Sequence, residues 1–173
     1  MPIGHKNNDN LDEEKVLKVL KPILEDKSIK KIGQNIKFDY IILFKRGIDM
    51  QPMEDTMLMS YVLDAGRNRH NMDTLSKIHL NHSPISYKDL VGSGKKQLNF
   101  SEVKIKLAKN YAAEDADITY RLYKLFEKKL KIEKLHDIYE IFEKPLIKIL
   151  AKMEINGVKI NEKFLTEKIK ENF

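Results

Sequence analysis

"NYAAEDADITY", Asn110 to Tyr120, crowds Glu114, Asp115 and Asp117 beside three alanines in a segment that reads as a half-buried helix. Tyr111 and Asp115 are spaced i, i+4, which stacks phenol and carboxylate on one helical face with Cβ atoms ~5–6 Å apart. Asp117 falls ~200° round the helix from Asp115 and faces elsewhere. The alanines remove bulk and let a neighbouring segment or a ligand come close.

A second pair of this spacing sits in "GQNIKFD", Gly33 to Asp39, where Asn35 and Asp39 share a face at a helix start just past a short strand. Ligands collect at such junctions in α/β proteins. Each pair alone has an ordinary explanation: a surface hydrogen bond for the first, a cap with a dipole-matched acid for the second. Two carboxylates on separate helices, brought together, begin a site for hard divalent cations, which take oxygen ligands.

Working outward, Asn10 as cap and Glu13 as a capping-box acid open a helix over residues 10–26, with Val16, Leu17, Leu20, Ile23 and Leu24 on its apolar face. "KKIGQN" reads as a short strand ending near Gly33, and helical spacing returns from Ile36 to Lys45 until Gly47 stops it. Pro52 and Met53 open an extended stretch before a helix from Asp55 to about Leu63, with Met57, Leu58, Tyr61 and Val62 inward. A helix near Met72 to Leu80, a loop-rich stretch from Asn81 to Asn99 and a long helix to about Leu130 follow. The charge run "KLFEKKLKIEKLHD" marks a boundary near Lys131; beyond it Ile138 to Met153 is amphipathic, with Pro145 starting or kinking it. "NGVKIN" reads as a tight turn into a short strand, and "EKFLTEKIKENF" opens another helix. Helices dominate. A strand fragment this short has no evident partner for its backbone groups, which suggests that part of a sheet is missing.

The 173 residues are 42% hydrophobic and 34% charged, and no apolar run approaches the ~20 residues of a membrane span. "MPIGHKNNDN" lacks the apolar core of a secretory signal. The absence of cysteine excludes disulfides and thiolate chemistry and fits a reducing cytoplasm. A net charge of +6 suits a nucleic-acid partner, although the excess of Lys, Ile and Asn is equally the composition of an AT-rich genome.

In this order and at this spacing, the motifs resemble the 3′–5′ proofreading exonuclease domain of family A polymerases, of the bacterial DNA polymerase I type. "GQNIKFD" is similar to that family's second motif and "YAAEDAD" to its third. "EDTMLMSYVLDAGRNRHNMDTLS" and "GSGKKQLNF" fit between them, and "EKPLIKILAKMEINGVKIN" resembles the join into the polymerase domain. The resemblance spans nearly the whole chain. It implies an α/β, RNase H-like 3′–5′ exonuclease fold of the four-carboxylate superfamily, tyrosine subclass. It further implies that the fold is N-terminally truncated so that helices dominate. Residues 1–131 would be an exonuclease domain lacking its first strands, and residues 132–173 the first helices of a polymerase domain.

The resemblance also implies roles. Asp115 would ligate the more tightly bound metal directly and Asp39 would hold the second, through water. Tyr111 would orient the attacking water, and Asn35 would help position the scissile nucleotide. Phe100, in "QLNF", matches an aromatic that packs against the terminal bases, and Gln34 is a candidate for the same surface. The implied cofactors are two Mg²⁺ or Mn²⁺ ions, which stabilise attacking and leaving oxygens of an in-line displacement at phosphorus. Tyr111 suits orientation better than base catalysis, because a phenol near pKa 10 is mostly protonated at pH 7. The implied partner is DNA, as a single-stranded 3′ end or a primer-template, with no membrane. The protein would be a monomer of the bacterial cytoplasm, nucleoid-associated, with missing N-terminal strands and a polymerase domain as intramolecular partners.

The family's first motif, Asp-x-Glu on the opening strand, has no counterpart here. Asp12-Glu13-Glu14 satisfies it formally, but three acids in the first turn of a helix are explained by the helix dipole. The fragment alone is therefore expected to be nearly inactive, while the intact protein trims mismatched 3′ ends. A non-catalytic DNA-binding or scaffold module is the competing reading. An RNA-trimming exonuclease of the same superfamily would lack the "MEINGVKI" join. "VGSGKKQ" lacks phosphate-loop spacing and reads as a turn. His79 and His82, without further ligands, read as exposed histidines rather than zinc ligands. Tyr87, Lys88, Lys95 and Lys96 are candidate contacts to the DNA backbone.

Overall fold

A computed structural model describes residues 2–6 and 10–172, without the side chains of residues 95 and 170–172, so the Lys95 contact lies outside the described residues. Helix α1 (Glu13–Glu25) is capped by Asp12, whose carboxylate accepts the Lys15 amide at 2.9 Å. Asn10, expected as the cap, instead exchanges hydrogen bonds with the backbone of His5 at 2.8 and 2.9 Å. Glu13 pairs with Arg46.

Strand β1 (Lys31–Gly33) leads into α2 (Ile36–Phe44), and the chain returns as β2 (Met53–Asp55), parallel to β1 with Lys31 opposite Met53 and Gly33 opposite Asp55. The short strand therefore has a partner, against expectation. Parallel pairing is invisible locally because the crossover helix separates the two strands. The corner between β1 and α2 is tight. A Cβ on Gly33 would lie 2.8 Å from Ile36 Cβ, and Asn35 adopts the left-handed conformation at φ 58°. Glycine satisfies the first demand, and asparagine tolerates the second better than most residues.

Helix α3 (Thr56–Asp64) buries Thr56, Met59 and Ser60, while Tyr61 is exposed. Leu58 and Val62 pack against the main core as expected, and Tyr61 alone of the expected set is exposed. Small hydroxyl side chains let α3 approach its neighbour closely, and a reading based on apolar residues passes over them. Helix α4 (Met72–Leu80), capped by Asn71, and the short α5 (Tyr87–Val91) precede α6 (Ile105–Ile132), an unbroken helix of 28 residues. A stripe of Ile118, Leu122, Phe126 and Leu130 on α6 forms the centre of the main core with Met59, Leu75 and Tyr139. Each such side chain stabilises the fold by ~1.5–3 kcal/mol through burial.

Past α6 come a short turn α7 (His136–Ile138), a wide π-type turn over Tyr139–Glu143, α8 (Lys144–Asn156) and α9 (Glu162–Asn172). Pro145 lies in the first turn of α8, where its missing N–H costs nothing. Tyr139 is fully buried in the main core, and Ile147 and Ala151 of α8 pack against Ile36 and Tyr40 of α2. "NGVKIN" forms no strand: Gly157, at φ +70°, ends α8, and the chain enters α9 without pairing. Among the described residues, no helix is long and apolar enough to cross a membrane.

Candidate active site

The strand-to-helix corner builds the first half of the site. Asp55, at the end of β2, is 2% exposed and caps two helices at once. Its Oδ1 accepts the amides of Asn35 and Met57 at 3.0 and 2.9 Å, and its Oδ2 accepts that of Ile36 at 3.0 Å. Desolvation raises its pKa, and these backbone bonds oppose the rise. Asn35 stands outside the helix and makes no side-chain cap bond, so its pairing with Asp39 is not a helical one. Its side chain is exposed. Asp39, in the first turn of α2, projects into a cavity of about 750 Å³.

Asp115, from α6, lines the same cavity, with Ala116 and Thr119 beside it and Gln34 and Lys30 on other walls. Two carboxylates far apart in the sequence are thus brought to one concave surface. Asp39 remains solvent-accessible at the cavity's open side, yet desolvation by the atoms around it raises its pKa. Asp115 is half-buried, and desolvation raises its pKa too, opposed by a hydrogen bond from Tyr111 and reinforced by the charges of Glu114 and Asp73. Burial and the Asp115 carboxylate push the Tyr111 phenol up to about 12, which keeps it protonated as a donor.

The three crowded acids divide the work by angle. Glu114 accepts the Ile85 amide at 2.7 Å and bonds His82 Nε2 at 2.8 Å, tying the loop before α5 to α6. Asp115 faces the cavity. Asp117 points to solvent and pairs with Arg121 at 3.5 Å. Of the two histidines read as exposed, His82 is therefore engaged by Glu114, and His79 packs edge-on against Phe126 at 5.0 Å with its pKa lowered by burial.

Phe100 is half-buried in a capped turn, stacked on Tyr87 at 6.3 Å and edge-on to Tyr111 at 6.2 Å. It also borders a second, mostly apolar cavity of about 530 Å³ with His5, Ala112 and Ala113. Gln34 is half-buried, donating to the His70 carbonyl at 2.7 Å and accepting from Thr56.

Sequence reasoning passed over three residues. Asp73, in the first turn of α4, lies close enough to raise the pKa values of both Tyr111 and Asp115. Lys30 brings a cation to the cavity wall, held by the Tyr123 hydroxyl at 3.0 Å. Asp55 was read only as a helix start. For Asp73, the signal was an acid at N2 of a well-capped helix, which the dipole alone explains.

The donor set fits a hard divalent cation in kind. Oxygen ligands on a partly desolvated surface suit Mg²⁺ or Mn²⁺, which commonly take one or two protein carboxylates. In number it is partial: among the described residues no group of three or more acidic or histidine side chains is placed to hold a metal.

A family model described as 3′–5′ exonuclease matches residues 2–131. The chain is 42% identical over 177 residues to DNA polymerase I of Rhizobium leguminosarum, covering 96% of this chain and 17% of that one. Against DNA polymerase I of Pseudomonas aeruginosa the identity is 40% over 176 residues, covering 95% of this chain and 19% of that one. The chain thus spans less than a fifth of the length of these relatives. In structure it is similar to Brucella melitensis NrnC, with a TM-score of 0.63 at 18% identity over 88% of this chain and 68% of that one, a likeness of fold. With the match reaching across both carboxylate motifs, the chain belongs to the 3′–5′ exonuclease family, in the form carried by bacterial DNA polymerase I.

Proposed function

We propose that this chain contributes to a proofreading site that removes nucleotides from DNA 3′ ends by two-metal phosphodiester hydrolysis, within a DNA polymerase I of the bacterial cytoplasm. The observation that carries the reading is the convergence of Asp39 and Asp115 on one cavity. Bound there, Mg²⁺ or Mn²⁺ would supply charge neutralisation at phosphorus and a water acidified toward neutral pH. Asp115 and Asp39 would hold the ions, and the Tyr111 hydroxyl, kept protonated, would orient the attacking water. Asn35 and Gln34 would contact the terminal nucleotide, and the Phe100–Tyr87 stack would receive unpaired bases. Residues 1–131 form the exonuclease portion in this reading and residues 132–173 lead into the polymerase portion.

With only two carboxylates on the cavity among the described residues, the chain by itself would cut slowly. That same observation favours a second reading, a catalytically silent module that binds single-stranded DNA. Incubating the chain with 5′-labelled single-stranded DNA and Mn²⁺ separates the two. Slow, metal-dependent shortening from the 3′ end, abolished by Asp115→Ala and by Asp39→Ala, is expected. Mn²⁺ binding unchanged in both variants would overturn the proposal, and DNA binding without any cleavage would favour the silent module.

A further inference from the structure

The matched family unit ends at residue 131, yet the chain beyond it holds Asp55 and the helix that carries Asp39. We propose that Asp55, held by Tyr139, is a positioning residue for Asp39, so that residues 139–156 are a working part of the exonuclease site. The proposal rests on the reading of Asp39 and Asp115 as the metal-binding pair.

Helix α2 begins with N–H groups that have no partner within the helix. Asn35 does not cap them with its side chain; Asp55 takes the Asn35 and Ile36 amides with both its oxygens. Asp39 stands one turn further on, so the direction of its carboxylate is set where Asp55 grips. Asp55 is fixed in turn. Its own amide donates to the Tyr139 hydroxyl at 3.0 Å, and that hydroxyl donates to Glu54 Oε2 at 3.0 Å. Lys144 closes the chain on Glu54 Oε1 at 2.7 Å.

The flank of α2 is held by the same segment. Ile147 and Ala151 pack beneath Ile36 and Tyr40. Lys148 donates to Asp49 at 2.6 Å, and Asp49 also accepts the Tyr40 hydroxyl at 3.1 Å. Lys37 pairs with Glu154. The metal-bearing helix is therefore gripped at its N-terminus through Asp55 and along its side by α8.

A purely structural role for Asp55 would lower stability without touching the metal, and the two roles separate in one experiment on the whole chain. The probe is Mn²⁺ alone, followed by electron paramagnetic resonance of the free ion, with melting temperature and amide exchange measured on the same samples. In Asp55→Ser, the hydroxyl can still cap α3 at Met57, but a single oxygen on a shorter side chain cannot serve both α2 amides. Tyr139→Phe removes only the hydroxyl. Asp12→Ala deletes a cap of the same kind on α1, away from α2.

Asp55→Ser and Tyr139→Phe are expected to weaken Mn²⁺ binding about tenfold, the scale typical of residues that orient a ligand. Amide exchange should quicken at Phe38 to Tyr40 in these two variants. Asp12→Ala, whatever its own loss of melting temperature, should leave Mn²⁺ affinity unchanged. If Asp55→Ser fails to fold, Tyr139→Phe carries the test. Wild-type Mn²⁺ affinity in Asp55→Ser and Tyr139→Phe, alongside weakened affinity in Asp39→Asn, would overturn the positioning role and leave the metal site standing. Unchanged affinity in Asp39→Asn would overturn the metal reading and this proposal with it.

Discussion

The Tyr111 hydroxyl donates to the Asp115 carboxylate one helical turn further along α6, and the bond moves their proton equilibria in opposite directions, raising the phenol and lowering the acid. In Tyr111→Phe, Asp115 keeps burial and the charges of Glu114 and Asp73, all of which raise its pKa. The variant should therefore need a higher pH to ionise Asp115. Mn²⁺ affinity titrated from acid to neutral pH should show its rising limb displaced upward, with little change at pH 8.

Burial raises the pKa of Asp39 and of Asp115. A folded pKa above the unfolded one means the group favours the folded state fully only below the unfolded value, near 3.9, and loses that contribution as pH rises through the folded pKa. At pH 7 both ionised carboxylates work against the fold. Asp115→Asn should raise the metal-free melting temperature at pH 7, and Asp39→Asn should raise it less, because solvent screens the exposed Asp39. Calorimetry should find the gain shrinking to nothing as pH falls below about 4.

Glu114 carries the opposite sign. Its pKa is lowered, chiefly by the Ile85 amide and further by His82, against an opposing rise from burial. Its contribution is present above the unfolded value of 4.5 and fades as pH falls through the lowered folded pKa. Glu114→Ala should cost about 0.5–1.5 kcal/mol at pH 7, the net worth of a hydrogen bond whose exposed Ile85 amide can turn to water instead. Urea unfolding at pH 7 and pH 3 checks this: the deficit should be smaller at pH 3.

Glu54 is 2% exposed and receives both the Tyr139 hydroxyl and Lys144. Removing Glu54 leaves the buried Tyr139 hydroxyl without its acceptor, at a cost of about 1–3 kcal/mol, while Lys144 keeps Glu140 at 3.0 Å. Glu54→Ala should lose that much in urea denaturation. Glu54→Gln should lose less, because the amide still offers an acceptor to the Tyr139 hydroxyl.

Phe100 stacks on Tyr87 beside the carboxylate cavity. Base stacking on an aromatic is worth ~1–3 kcal/mol per base. Phe100→Ala should weaken binding of a short single-stranded DNA by at least about fivefold in fluorescence anisotropy, the lower end of that range. The weakening should not depend on Mn²⁺.

The site was legible where its geometry is local. Tyr111 and Asp115 are an i, i+4 pair on a helix whose period the sequence declares, and α4 runs between the residues expected of it. Legibility ended where a bond crosses between distant segments. Asp55 reads as the cap of the helix that follows it. That it also caps α2, nineteen residues upstream at Ile36, depends on a parallel strand pair that no local pattern encodes. Tyr139 reads as one apolar position among several, and nothing in its neighbourhood announces Glu54. Glu114 and Asp115 point ~100° apart round α6, and that Glu114 meets the Ile85 amide depends on where the distant loop lies.

The wide turn over Tyr139–Glu143 has a hereditary consequence. It supplies the spacing by which Tyr139 meets Glu54 while Ile147, further along, meets Ile36. Losing a single codon inside it would rotate everything downstream by ~100° and carry Ile147 and Ala151 off their partners. Ile141 and Phe142, both 63% exposed, should accept many replacements. Descendants of this gene can thus drift in spelling here far more readily than in length.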